Sequence, residues 1–144
     1  RRERLEGYRQ ALAEYGITPD KNWVISVPFN EEGGERAAHQ LLNCGIPFTA
    51  AVTFNDVMAA GIMRILHQQG ITLPQQLSIV GFDDVVMARY LYPALTTMHY
   101  PVERMARCAS QLAIQLFKGA TQRPSVNSFT AELVIRDSVL PPSL

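Results

Sequence analysis

The stretch Gln76-Leu77-Ser78-Ile79-Val80-Gly81-Phe82-Asp83-Asp84 decides how the fold of this chain is interpreted. Residues 77–80 have the near-continuous apolar character of a parallel strand that is buried on both faces. A glycine turn with two carboxylates follows at once. In open α/β sheets, ligands bind beyond the carboxyl ends of the strands, so Asp83 and Asp84 stand where a binding group is expected. Aspartate is also common in ordinary loops and helix caps, so the pair alone leaves both interpretations open.

The composition fits one ordinary globular domain. The chain has 144 residues, of which 47% are hydrophobic and 18% are charged. Thirteen basic residues balance thirteen acidic ones, so the net charge does not attract this segment to nucleic acid or to an anionic membrane. No apolar run approaches the roughly 18 residues that span a membrane, and no signal peptide is visible. Because Arg1 already opens a helical pattern, we expect the native protein to begin upstream of it.

The two cysteines, Cys44 and Cys108, form no Cys-x-x-Cys motif and lie inside helical patterns. This spacing predicts two buried thiols in a reducing compartment rather than a disulfide.

Helices and strands are predicted to alternate along the chain. A helical pattern ends at Gly16, and the composition then predicts a strand at 23–27, a helix at 31–43, a strand at 48–54, a helix at 56–69 and a strand at 77–80. This alternation predicts an α/β fold built on a doubly wound parallel sheet. Beyond it, the proline-bracketed stretch 93–101 resembles a crossing segment, 102–118 is predicted to be a helix, and 128–135 has strand composition.

Four residues, Phe29, Asn55, Asp83 and Tyr100, each fall at or just beyond the carboxyl end of a predicted strand, so they could converge. A polyol ligand requires such a mixture, with carboxylate and amide groups for hydroxyls, a forked arginine donor and an aromatic ring for the C–H face. Each residue also has a structural explanation. Asn55 stands where a helix N-cap belongs, the aromatic residues could serve packing, and Arg4 lies on an arginine-rich helical face that would commonly be solvated.

Catalysis and metal binding are not favoured. Adjacent carboxylates on a turn usually point apart and cannot flank one glycosidic bond. The chain has no nucleophile elbow, phosphate loop or His-Glu-x-x-His motif, and Glu31-Glu32-Gly33-Gly34 resembles a phosphate turn only superficially because its carboxylates would repel an anion. His39, His67 and His99 lack ligand spacing, so neither a metal nor a cofactor is expected.

Three motifs, in this order and spacing, resemble the effector-binding domain of the lac/gal repressor family of bacterial transcription regulators. They are Phe54-Asn55-Asp56-Val57-Met58-Ala59-Ala60-Gly61, Leu77-Ser78-Ile79-Val80-Gly81-Phe82-Asp83-Asp84 and Pro93-Ala94-Leu95-Thr96-Thr97. The resemblance covers essentially the whole chain and is greatest to the galactose and β-glucoside repressor branches. It implies a periplasmic-binding-protein-like fold with the effector held between two subdomains that are joined by three crossing segments.

On this resemblance, about 1–98 and 128–140 form the C-terminal subdomain, and the helix at about 102–120 belongs to the N-terminal subdomain. The DNA-binding headpiece is absent from this chain. Arg4, Asn55 and Asp83 match the family's polar effector contacts, and Phe29 matches an aromatic residue that packs against the sugar ring. Tyr100 matches a lining position that carries an amide in other members.

The resemblance implies a cytoplasmic, allosteric transcriptional repressor that binds a sugar effector and, through its headpiece, operator DNA. A homodimer is expected because these repressors dimerise through the matching helix and loop. Much apolar surface is predicted there, and half of it could instead face the domain's own sheet. The residues are Met58, Ile62, Ile65, Val85, Val86, Met87 and Tyr90. The alternative is a sugar-binding protein of a transport system with the same fold.

Overall fold

The computed structural model describes residues 2–119 and 128–142. Within these ranges the helices are α1 (Arg2–Glu14), α2 (Glu31–Asn43), α3 (Asp56–Gln68) and α4 (Val102–Phe117). The strands are short: β1 (Ala50–Val52), β2 (Ser78–Val80), β3 (Thr97–His99) and β4 (Glu132–Val134). The predicted alternation of helix and strand is confirmed for the region from α2 to β2, with α2 at the predicted bounds.

Parallel pairing brings the carboxyl ends of three segments to one edge of the sheet. β1 runs parallel to β2, with Val52 opposite Val80. On the other side of β2, the N–H of Gly81 donates to the carbonyl of Thr96 at 2.9 Å, in a second parallel contact. β3 then pairs with β4 in the antiparallel sense. The loops that follow β1, β2 and β3 therefore emerge side by side, which is the arrangement predicted for a ligand edge.

Helices α2 and α3 pack closely because glycine faces backbone at their contact. A Cβ atom on Gly34 would lie 2.2 Å from the carbonyl oxygen of Met58, and one on Gly61 would lie 2.2 Å from that of Glu31. Neither distance leaves room for a side chain. Gly33 and Gly34 thus lie within α2 and allow close packing, and the turn-like Glu-Glu-Gly-Gly sequence is the first turn of a helix.

The apolar core lies where α2 and α3 cover the sheet. Each large aliphatic side chain buried there contributes about 1.5–3 kcal/mol of transfer free energy. Its members are Ala37, Ala38, Ala59, Ile62, Met63, Ile65, Leu66, Leu77, Ile79, Ala88 and Leu95. Three residues predicted for self-association, Met58, Ile62 and Ile65, are only 7%, 4% and 4% exposed. The predicted surface is corrected at these positions, because packing within the chain already covers their side chains.

Two local predictions are wrong. Residues 23–27 form no strand: the Asp20 carboxylate accepts from the N–H of Asn22 and sets a 3-10 helix at Lys21–Trp23, while Pro28 has no N–H for a ladder. The thiols are also not buried. Cys44 is exposed at the end of α2, and Cys108 is only partly buried on α4, a helix with no buried residue in this chain. The two cysteines are not joined by a disulfide.

Candidate functional site

Arg4 fastens α1 to the carboxyl edge of the sheet. Its guanidinium carbon lies 4.3 Å from the ring centroid of Phe54 and 3.5 Å from that of Phe82, and its Nη1 donates to the carbonyl oxygen of Phe54. Phe54 follows β1 and Phe82 follows β2, so one side chain joins the two loops. Cation–π contacts of this kind are worth about 0.5–2 kcal/mol each. Arg4 is therefore held in place by the site and is not a freely solvated surface charge.

Two further aromatic rings extend this contact into a row. The ring of Phe29 stacks on that of Phe54 with centroids 4.2 Å apart, and the ring of Tyr100 lies 5.1 Å from that of Phe82 at a tilt of 51°. Phe29 remains 45% exposed. The row therefore offers an accessible apolar surface beside a fixed guanidinium.

Asn55 caps α3 and also contacts the loop that carries Phe29. Its Oδ1 accepts from the N–H of Met58 at 2.9 Å, and its Nδ2 donates to the carbonyl oxygen of Phe29 at 3.2 Å. The amide nitrogen carries two hydrogens, of which this bond uses one. Capping, one of the two roles left open by the sequence, is observed, and it leaves the amide with further donor capacity.

Asp83 stands in a strained backbone conformation. Its φ is 112° and that of Asp84 is 53°, values that cost a non-glycine residue of order 1–3 kcal/mol and that persist only where the surroundings impose them. The N–H of Asp83 donates to the carbonyl oxygen of Met98 at 2.9 Å. Partial burial raises the pKa of the Asp83 carboxyl, the charge of Arg4 lowers it and the charge of Asp56 raises it, with a net increase. A hydrogen-bond donor brought by a ligand would favour the ionised form of this carboxylate.

Asp84 is engaged on both oxygens. Arg136 Nη2 donates to its Oδ1 at 2.6 Å, and His99 Nδ1 lies 3.0 Å from its Oδ2. Burial by itself would raise the pKa of Asp84, but the hydrogen bonds and charges of Arg136 and His99 hold it below its usual value. A carboxylate kept ionised by two partners is a poor general acid. Asp84 thus ties the turn to the segment after β4.

Asp56 is the residue that the sequence interpretation missed, since it was assigned only to the start of a helix. It is fully buried; its Oδ1 accepts from the hydroxyl of Thr97 at 2.5 Å and its Oδ2 from the N–H of Val85 at 2.9 Å. A Cβ atom on Gly81 would lie 2.1 Å from Oδ1. The signal available in the sequence was an acidic residue at the first helical position together with a glycine, Gly81, in the turn after β2.

The structure therefore gathers the five predicted effector residues, Arg4, Phe29, Asn55, Asp83 and Tyr100, at one edge of the sheet. Asn55, Asp83 and Tyr100 follow β1, β2 and β3, while Arg4 reaches the same edge from α1 and Phe29 from the loop before α2. Ring contacts through Phe54 and Phe82 link Arg4, Phe29 and Tyr100, and Asn55 donates to the carbonyl oxygen of Phe29.

The remaining members of the predicted self-association surface lie on the turn after Asp84. Val86 is 69% exposed and Tyr90 is 76% exposed, with Met87 also exposed and Val85 partly buried against the core. Tyr92 adds a nearly fully exposed ring.

Across residues 2–119 and 128–142, no helix combines the length and apolar character needed to cross a membrane. The same ranges contain no group of three or more histidine, cysteine, aspartate or glutamate residues that could hold a metal ion.

These features describe an α/β domain with a candidate ligand site at one edge of its sheet, and comparison with known proteins identifies its family. The sequence-family model of the periplasmic binding protein-like domain matches residues 1–139. The transcriptional regulator GalR of Escherichia coli is 44% identical over 142 residues, and the transcriptional repressor PurR of Photobacterium profundum is 37% identical over 138. These alignments cover 99% and 96% of this chain and 41% of each relative.

Among solved structures, the transcriptional regulator CelR in complex with cellobiose superposes with a TM-score of 0.89 at 30% identity, over 95% of this chain and 42% of that one. The chain belongs to the periplasmic binding protein-like domain family and corresponds to the effector-binding portion of lac/gal-type repressors. It spans about two fifths of the length of the relatives it matches. The resemblance predicted from the three sequence motifs is confirmed.

Proposed function

We propose that this chain is the sugar-effector-binding and dimerisation region of a DNA-binding transcriptional repressor. The observation that carries the proposal is the convergence of a strained carboxylate, Asp83, with a guanidinium and an aromatic row, of which Phe29 is exposed, at the carboxyl edge of the parallel strands. Relatives named as transcriptional regulators, and a structural neighbour that holds cellobiose, support it. They also favour it over the alternative of a transport-system binding protein.

In this proposal the ligand is held by complementary groups. The Asp83 carboxylate accepts hydrogen bonds from sugar hydroxyls, while the second hydrogen on the amide nitrogen of Asn55 and the outer N–H groups of Arg4 donate to sugar oxygens. The exposed face of Phe29 covers the apolar C–H face of the ring, and Tyr100 lines the far end of the row. These groups would hold the effector by hydrogen bonds and ring contacts alone, without any covalent chemistry, which agrees with a non-enzymatic role.

The chain supplies one side of the proposed site. We assign about 1–98 and 128–140 to the C-terminal subdomain and the helix at about 102–120 to the N-terminal subdomain. Helix α4 supports this division, because it contains no buried residue within the described part of the chain although it carries apolar side chains. Residues 1 and 120 of this assignment lie outside the described residues.

In the whole protein, the proposed partners are a sugar effector, a second copy of the chain and operator DNA bound by a headpiece that lies outside this chain, all in the cytoplasm. Dimerisation is assigned to the exposed residues Val86, Met87 and Tyr90. Effector binding would shift the dimer between DNA-competent and DNA-incompetent arrangements, and the shift is limited to the difference in affinity for the two states, typically about 1–3 kcal/mol.

Calorimetry on the full-length protein tests the proposal with galactose, cellobiose and hypoxanthine as probes. We expect one of the sugars to bind and Asp83→Ala to abolish that binding. Asp20→Ala is the matched control, because the Asp20 carboxylate only caps the 3-10 turn at Lys21–Trp23. If hypoxanthine bound and neither sugar did, the effector would be a purine and not a sugar. Equal sugar binding by the parent and Asp83→Ala would contradict the proposed site.

A further inference from the structure

Asp56 holds both ends of the turn that carries Asp83, one through its backbone and one through its buried carboxylate. Its own N–H donates to the carbonyl oxygen of Phe82, just before the two aspartates, at 2.8 Å. Its Oδ2 accepts from the N–H of Val85, just after them, at 2.9 Å. The strained residues Asp83 and Asp84 are thus bracketed by two hydrogen bonds to one residue.

A third hydrogen bond fixes the direction of the carboxylate. The hydroxyl of Thr97, which is fully buried on β3, donates to Asp56 Oδ1 at 2.5 Å. Burying an ionised carboxylate is costly unless its oxygens are hydrogen-bonded, and such charge-assisted bonds are stronger than neutral ones. Gly81 completes the arrangement, since any side chain there would overlap Oδ1.

An acidic residue in the first turn of a helix ordinarily faces the N–H groups of that turn and stabilises the helix dipole. The Asp56 side chain instead leaves its helix, and its observed partners belong to the 81–85 turn and to β3. Its contacts are therefore those of a residue that fixes the turn.

We propose that Asp56 is a positioning residue of the effector site, which imposes the left-handed backbone of Asp83 and so presents that carboxylate to the ligand. This inference rests on the proposed function, in which Asp83 contacts the sugar. Asp56 and Thr97 would thus control ligand affinity through the position of Asp83, without touching the ligand themselves.

Three variants separate the contributions in the full-length protein. In Asp56→Asn, the amide oxygen can still accept from the N–H of Val85 and the NH₂ group can donate to the Thr97 hydroxyl, but the negative charge is gone, so both charge-assisted bonds become weaker neutral ones. Thr97→Val removes one hydroxyl with little change of shape, and Thr97→Ser restores it. With D-galactose as the probe, we expect about tenfold or greater weakening for Asp56→Asn, several-fold weakening for Thr97→Val and affinity within about twofold of the parent for Thr97→Ser.

Two readouts distinguish positioning from general stability. Ile62→Val destabilises the core by about 0.5–1.5 kcal/mol but leaves the hydrogen bonds of Asp56 and Thr97 in place, so it should leave affinity unchanged. The charge of Asp56 also raises the pKa of Asp83 against the lowering effect of Arg4. In Asp56→Asn, the residual galactose binding should therefore persist to lower pH than in the parent.

Amide hydrogen exchange in the absence of ligand decides the inference independently of the probe. We expect faster exchange at 82–86 in Asp56→Asn and Thr97→Val, with exchange in α2 unchanged. If Asp56→Asn does not fold, Thr97→Val and Thr97→Ser carry the test. Unchanged exchange at 82–86, or galactose affinity lost equally in Ile62→Val, would overturn the inference. Failure of the parent to bind any sugar would instead count against the proposed function.

Discussion

Arg136 donates from Nη2 to Oδ1 of Asp84 across 2.6 Å, and this ion pair joins the turn after β2 to the segment after β4. Both side chains are largely buried, and Arg136 Nη1 also donates to the carbonyl oxygen of Leu95 at 2.8 Å. The segment continues to Ser138, whose buried hydroxyl donates to the carbonyl oxygen of Ile79 at 2.6 Å. The carboxyl end of β2 is therefore held from a part of the chain more than 50 residues away.

This pairing predicts a pH-dependent contribution of Asp84 to stability. Because the folded pKa of Asp84 lies below its ordinary value of 3.8, the ionised form stabilises the folded state above that pH, and the contribution is lost as the pH falls through the lowered pKa. Asp84→Asn should lower the free energy of unfolding by about 1–3 kcal/mol at neutral pH, since it leaves the charge of Arg136 partly buried without its partner. Urea unfolding at several pH values between 3 and 7 measures the difference.

The difference between parent and Asp84→Asn should be constant above about pH 5 and shrink below pH 3.8. Asp20→Asn provides the control, because its carboxylate makes one exposed capping bond and should show no comparable loss. A difference that is independent of pH over the whole range would show that the Asp84 charge does not stabilise the fold.

Gly81→Ala tests whether the turn depends on the absence of a side chain. The added Cβ would lie 2.1 Å from Asp56 Oδ1 and 2.8 Å from Leu95 Cδ2, so the turn or the buried carboxylate must move. Overpacking of this kind costs typically about 1–3 kcal/mol. Thermal unfolding should show a clear decrease in midpoint.

Gly7→Ala is the matched control for that substitution. Nothing lies within 4 Å of a Cβ at this position, and Gly7 is inside α1, where alanine is favoured by roughly 0.5–1 kcal/mol. We expect Gly7→Ala to be neutral or stabilising. If both alanine variants had the same midpoint as the parent, the close approach at Gly81 would not be limiting.

Much of the fold could be predicted because local signals and the global pattern agree. Asn55 marked the start of α3 as an N-cap, and the unbroken apolar run around Ile79 marked the central strand; in the structure Asn30 caps α2 in the same way. The prediction of a strand at 23–27 failed because it rested on composition alone. A strand requires a paired neighbour, and the capping turn set by Asp20 is a local preference that strand composition does not reveal.

The site was predictable only in part, for a related reason. Strand ends identify which loops meet, so Asp83 and Asn55 could be selected from their positions, and the resemblance added Arg4. The contacts between side chains depend on three-dimensional packing. The row of rings around Arg4 and the burial of Asp56 arise from long-range contacts that no local pattern encodes.

Asn55→Ser separates helix capping from the proposed contact with the effector. Serine is about as good an N-cap as asparagine, so the free energy of unfolding should stay within about 0.5 kcal/mol of the parent. Serine lacks the amide donor that now reaches the carbonyl oxygen of Phe29. Sugar affinity measured by calorimetry should fall several-fold.

Asn55→Ala is the comparison, since it removes the cap as well. It should lower the free energy of unfolding by about 0.5–2 kcal/mol in addition to weakening sugar binding. Affinity that falls only in Asn55→Ala would assign Asn55 to capping alone.

The exposed turn after Asp84 predicts a self-association surface that charge should disrupt. Val86 and Tyr90 present apolar surface that packing within this chain does not cover. In a two-fold interface each residue occurs twice, so Val86→Glu places two like charges against an apolar surface and should weaken the dimer strongly. Sedimentation of the full-length protein at micromolar concentrations should show a shift from dimer towards monomer in Val86→Glu and in Tyr90→Lys. Tyr15→Lys changes another exposed ring, at the end of α1, and should leave the dimer intact. A parent protein that sediments as a monomer at tens of micromolar, or a Val86→Glu dimer as stable as the parent, would remove this surface from the proposed function.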